Sequence, residues 1–133
     1  MAKIMQAGMI AMKIFGKPWV KGMICGFVFG VLLAIVSACE VFNGTALESV
    51  PQFLGALPAF IILDLLPDVP ELFAPLVYFT YWIAVGGLIG WGMSKGKFGK
   101  AGVIILIIVL LLSHFKAYLI LQKEFSDASG AWL

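Results

Sequence analysis

The sequence predicts an all-α membrane protein: an N-terminal amphipathic interfacial helix followed by three transmembrane helices, N-terminus inside and C-terminus outside. Three observations carry that prediction. Several apolar runs reach the roughly 20 residues that a helix needs to cross a bilayer. The nine basic residues are all lysine, and seven fall in two clusters, Lys3, Lys13, Lys17, Lys21 and Lys95, Lys97, Lys100. Between the clusters the chain turns acidic, at Glu48, Asp64, Asp68 and Glu71. Lysine beside short loops is retained on the cytoplasmic side, so both clusters belong inside and the acidic segment outside.

Composition agrees. The 133 residues form one domain, 62% hydrophobic and 12% charged, about half the charged fraction of an ordinary soluble domain. A net charge of +2 is too small to argue for nucleic acid. The lysines read as lipid-headgroup and topology charges instead. Cys25 and Cys39 lie in one apolar run, roughly 21 Å apart on a helix, beyond disulfide reach. The first apolar run is too long, and lacks a clear small-residue cleavage site, for a cleavable signal.

Residues 1–17 read as a helix lying on the membrane. Met1, Ile4, Met5, Met9, Met12 and Phe15 share one face of a helical wheel. Lys3, Gln6, Lys13 and Lys17 share the other, interrupted by Ile10. A basic face opposite a Met-rich face suits the interface plane. Pro18 then ends that helix or starts the next, and Trp19 falls at headgroup level.

Span 1 is expected over residues 22–42. Small residues recur at every fourth position, Gly22, Gly26, Gly30, Ala34 and Ala38, and such a strip lets a second helix backbone come close. The pattern leaves open whether that partner is the second span, another copy or a different protein. Residues 43–72 hold four of the six prolines, Pro51, Pro58, Pro67 and Pro70. Their apolar stretch from Phe53 to Leu66 reads as a short interfacial or re-entrant helix. Reading it as a fourth span would move Lys95, Lys97 and Lys100 outside, against the charge rule.

Span 2 is expected over 73–93. Tyr78, Tyr81 and Trp82 stand toward its outer end and Trp91 at its inner end, as an aromatic belt would. Gly86 and Gly90 supply a second packing strip. A polar glycine-rich turn, Ser94 to Lys100, makes spans 2 and 3 an antiparallel pair. Span 3 is expected over 101–122, with 123–133 as a loosely held outer tail.

Candidate sites concentrate in the outer half of span 3, where Ser113, His114, Lys116 and Tyr118 fall within six positions. Ionisable groups at membrane depth are costly and often mark a pathway or a buried pair. Lys116 is close enough to the span's end to snorkel. His114 is the expected packing histidine, donating to a backbone carbonyl or another span. Glu40, at the outer end of span 1, either pairs with Lys116 or lies exposed. Asp64, Asp68 and Glu71 lack the alternating ligands and glycine turn of a calcium loop, so they read as a solvated face. Asn43-Gly44-Thr45 matches a glycosylation acceptor but abuts the membrane. It reads as chance.

One histidine and two separated cysteines exclude a zinc site within one chain, and no phosphate-cradling loop follows a strand. Ser113 is the sequence neighbour of His114, about 100° away on a helix, so the two make a poor dyad. No cofactor and no catalytic residue are expected. The expected partners are the bilayer and other membrane subunits or copies of this chain. The leading expectation is a non-catalytic small subunit assembling through the span 1 strip. The alternative is a homo-oligomeric channel or small transporter lined by Ser113, His114, Tyr118 and Glu40. The expected location is a bacterial or archaeal cytoplasmic membrane.

Overall fold

The computed structural model describes residues 1–130, and among them the chain is all-helical. Helix α1 spans Ala2–Phe15, α2 Pro18–Ala38, α3 Ser49–Phe60, α4 Ala74–Met93 and α5 Gly96–Gly130. Three helical stretches are long and apolar enough to cross a membrane: Pro18–Ala38, Glu71–Met93 and Gly96–Gly130.

Helices α2 and α4 are antiparallel and touch backbone to backbone. The reason is glycine on both sides. A Cβ built on Gly22 would overlap the Gly86 carbonyl and come within 3.0 Å of the Gly90 Cα. One built on Gly26 would overlap the Trp82 carbonyl, and one on Gly90 the Pro18 carbonyl. The relation is reciprocal, because a Cβ on Gly86 would overlap the Gly22 carbonyl. At that distance Cα–H groups face carbonyl oxygens across the interface, contacts worth about 0.5–1 kcal/mol each. Further along, Gly30 makes room for the Trp82 side chain, with a Cβ there only 3.1 Å from Cδ1. The small-residue strip of α2 thus finds its partner inside the chain over Gly22, Gly26 and Gly30. Ala34 is half-buried and Ala38 exposed.

Pro18 stands at the first turn of α2, where its missing N–H costs nothing. Past the α2 cap, Glu40 takes a left-handed φ of 52°, at the position where glycine is the usual helix terminator. Residues up to Glu48 form a run of turns, with Gly44 at φ 74°.

The connection from α4 to α5 is tighter than the sequence suggests. Only Ser94 and Lys95 intervene, not the seven residues Ser94 to Lys100. Gly96 has φ 75°, which reverses the chain in one step and lets α5 begin at once. Close approach continues the turn: a Cβ on Gly99 would overlap the Gly92 carbonyl, and one on Gly92 would lie 2.5 Å from Val103 Cγ2. At its other end α5 runs through the expected outer tail to Gly130. Leu, Gln, Lys and Glu from 121 to 124 favour helix, and no proline stops it. The last three residues of that tail lie outside the described residues. At 35 residues, α5 is about 52 Å long, well beyond the roughly 30 Å of a hydrocarbon core.

Helix α3 lies beside the second half of α5. Ala56, 2% exposed, packs on Ala117 and Leu121, with Leu57, Ala59 and Phe60 around them. Pro58 sits buried within the helix and has no N–H to donate. The ladder then widens into a π turn over Ile61–Leu65, closed by the Leu66 amide donating to the Ile61 carbonyl at 3.0 Å. The apolar stretch Ser49–Leu65 is 17 residues by its bounds, roughly 25 Å by helical rise. Helix α1 has no buried residue and, among the described residues, packs chiefly on α2.

Charge separates along the bundle axis. Pro18 meets Gly90, so Lys17, Lys21, Lys95, Lys97 and Lys100 share one end. Every carboxylate side chain falls between Glu40 and Glu71 or at Glu124 and Asp127, toward the other.

Gly26→Ala and Gly86→Ala are expected to lower the unfolding midpoint in detergent, each by about 1–3 kcal/mol or more, because a methyl group there must push two backbones apart. Gly55→Ala and Gly102→Ala, where a Cβ meets nothing within 4 Å, are expected to be neutral or slightly stabilising. Equal effects in both pairs would contradict the close α2–α4 contact.

Candidate functional site

An imidazole in the second half of α5 meets side chains from two other helices. His114 is 4% exposed and lies where α3, α4 and α5 meet. Its Nδ1 is 2.8 Å from the Leu110 carbonyl oxygen one turn back. A carbonyl can only accept, so Nδ1 carries the proton. In the neutral ring, Nε2 then accepts from the Tyr81 hydroxyl of α4 at 3.2 Å. Both nitrogens are satisfied, one within the helix and one across it. The imidazole therefore stitches α4 to α5.

Aromatic rings enclose it. Tyr81 lies edge-on at a centroid distance of 5.8 Å, Trp82 at 5.9 Å and Phe53 of α3 at 6.0 Å. The enclosure extends on either side. Phe53 meets Tyr118 edge-on at 6.2 Å, and Trp82 meets Phe29 of α2 at 4.8 Å. Edge-to-face pairs of this kind add about 0.5–1.5 kcal/mol each beyond area burial. Tyr78, one turn from Trp82 on α4, donates to the Gly30 carbonyl of α2 at 3.0 Å. Trp82 itself is 6% exposed, its ring packed against Gly30 and its indole beside the Tyr78 hydroxyl.

The five candidate residues do not form one site. Ser113 turns back on its own helix, donating to the Val109 carbonyl at 2.8 Å. Lys116 is exposed, and Glu40 is exposed at the far side of a groove. His114 and Tyr118 are linked through Phe53. Tyr118 accepts from the Gln122 side chain at 2.8 Å.

Glu40 and Tyr118 share an open groove of about 810 Å³ between the 39–48 turns, α3 and the second half of α5. Asn43, Gln52, Gln122, Ser126 and Ser129 line it with them. Glu48 lines it too, its carboxylate held by the Gly44 amide at 3.1 Å. Asp64, Asp68 and Glu71 stay exposed elsewhere. No group of three or more potential metal ligands occurs among the described residues. In the Asn43-Gly44-Thr45 turn, the Thr45 hydroxyl donates to the Phe42 carbonyl at 2.7 Å.

Tyr81 and Trp82, which the sequence places in a headgroup belt, instead turn inward. The signal for Trp82 was spacing: Tyr78, Trp82, Gly86 and Gly90 recur every fourth residue and face the matching strip of α2, a series to which Tyr81 does not belong. Phe53 carried no such signal, because its partners come from α5.

Fold and site together define a small all-α protein with three helices of membrane-crossing length, clamped at one level by an aromatic-enclosed histidine. No protein-family model, curated protein or solved structure matches the chain.

A double-mutant cycle over Tyr81→Phe and His114→Phe is expected to give a coupling of about 0.6 kcal/mol and at most about 1.7 kcal/mol, the range for hydrogen bonds between membrane helices. Additive single effects in denaturant unfolding would mean that the Tyr81–His114 bond contributes nothing.

Proposed function

We propose that this chain is a non-catalytic small subunit of a membrane complex, acting as a scaffold, anchor or stabiliser. The lysine-bearing end lies on the cytoplasmic side, and α1 rests on that surface with its methionine face in lipid. The charge separation along the bundle supports this orientation.

The observation that carries the functional reading is how the polar groups of the membrane half are used. His114 has both nitrogens engaged, Ser113 bonds its own helix, and Tyr78 bonds the α2 backbone. A pore needs polar groups turned toward a shared aqueous axis. Here His114 and Tyr78 join helix to helix, which is what a structural component requires. This weighs against the homo-oligomeric channel built around His114.

The surface for assembly must then lie beyond the internal α2–α4 contact. Assembly through Gly22 or Gly26 would require α4 to leave. Ala34 and Ala38 continue the strip past that contact, and the polar groove beside the projecting end of α5 adjoins them. Asn43, Gln52, Gln122, Ser126 and Ser129 offer hydrogen-bonding groups to an outer segment of a partner subunit.

Native mass spectrometry of the particle extracted from its own membrane tests the reading. Additional subunits in fixed ratio are expected, and Ser126→Trp should release them without shifting the melting of the isolated chain. A single mass at a whole multiple of 14.4 kDa would sink the proposal and favour the self-assembled channel. Liposome flux lost in His114→Ala would then follow.

A further inference from the structure

We propose that the lysine-bearing end of the bundle holds one anionic phospholipid, its two acyl chains in paired grooves astride Trp91 and its phosphate beside Lys95. Two apolar grooves open on α4 there. One, about 650 Å³, lies between α2 and α4 and is walled by Trp19, Met23, Ile83 and Gly87. The other, about 450 Å³, lies between α4 and α5 and is walled by Phe98, Gly99, Gly102 and Leu106. Both include Leu88 and Trp91, so one ridge of two side chains divides them. Each runs along about eight residues of helix, or roughly 12 Å, enough for the upper part of an acyl chain.

Gly102 leaves the floor of one groove open, since a Cβ there would meet nothing within 4 Å, while Met23 lies over Gly87 and walls the other. A cation stands over the ridge: the Lys95 Nζ lies 5.4 Å from the centre of the Trp91 ring. That is where a phosphodiester joining two chains would sit. Lys97 and Lys100 follow on the first turn of α5, and no carboxylate occurs between Glu71 and Glu124 to neutralise them. Basic pockets between membrane helices on the cytoplasmic side suit anionic headgroups. Twin grooves under one cation select a two-chain lipid over a single-chain amphiphile. The inference does not depend on the subunit proposal, since a bound lipid suits a scaffold and a channel equally.

The test uses the whole chain in mild detergent, titrated with phosphatidylglycerol, with phosphatidylcholine of the same acyl chains and with single-chain lysophosphatidylglycerol. Bound lipid is counted by native mass spectrometry. One phosphatidylglycerol per chain is expected, held at least tenfold more tightly than either competitor. Lys95→Gln should remove most of the preference over phosphatidylcholine. Gly102→Leu, which places a side chain in one groove, should remove the preference over the single-chain lipid. Lys116→Gln, toward the opposite end, should change neither. Equal retention of phosphatidylglycerol and phosphatidylcholine, or wild-type retention in both Lys95→Gln and Gly102→Leu, would overturn the proposal.

Discussion

The contact of bare backbone between α2 and α4 is the constraint on which the rest of the structure depends. Lipid offers no hydrophobic driving force to bring two apolar helices together, so association must come from close packing and polar contacts. Gly22, Gly26, Gly86 and Gly90 allow that approach, since a Cβ on any of them would overlap backbone of the facing helix. Once the two backbones are in register, Tyr78 reaches the Gly30 carbonyl and the Trp82 ring fills the space beside Gly30. The same register turns Tyr81, the neighbour of Trp82, toward α5. The hydrogen bond to His114 is therefore a consequence of glycine spacing some way down the helix.

The bundle changes character along its axis. At the lysine-bearing end three helices are drawn tight by Gly92 and Gly99 as well as by the α2–α4 strip. At the other end α3 packs against α5, and aromatic rings replace glycine at the contacts. Phe53 brings α3 to His114 and Tyr118, while Ala56 meets Ala117. Small residues give close approach and bulky rings give breadth, so the helices are held near at one end and spread at the other. The groove beside Glu40 and Tyr118 opens where that spreading leaves space.

Much of this was legible in the sequence because its signals are local. Hydrophobic length marked the spanning helices, and fourfold glycine spacing marked the faces that pack. The sequence could not say which element would meet the α2 strip, since a small-residue strip is as ready for a foreign helix as for a neighbour. Helix α5 continues to Gly130, past the span expected over 101–122, since polarity ends an apolar span without ending a helix. Gln122, Lys123 and Glu124 leave the apolar pattern yet remain good helix formers. Tyr81 and Trp82 were assigned to a headgroup belt because their aromatic character suits either a belt or a core. Only the register imposed by Gly86 and Gly90 separates the two. The meeting of Glu40 with Tyr118 across a groove depends on where α3 settles, which no periodicity encodes.

The histidine shows why one polar side chain can organise an apolar bundle. Phenylalanine would fill much of the same aromatic enclosure, but it could not satisfy a hydroxyl. With Nδ1 committed to the Leu110 carbonyl, Nε2 must accept, and Tyr81 supplies the donor. The carbonyl fixes the tautomer, the tautomer fixes the donor, and the donor fixes how α4 faces α5. Any polar group buried among rings without such a chain of partners is a cost. His114 thus brings directionality to a contact that dispersion alone would leave free to slide. Glycine sets how closely the helices approach, and the imidazole sets at what level and at which rotation they stop.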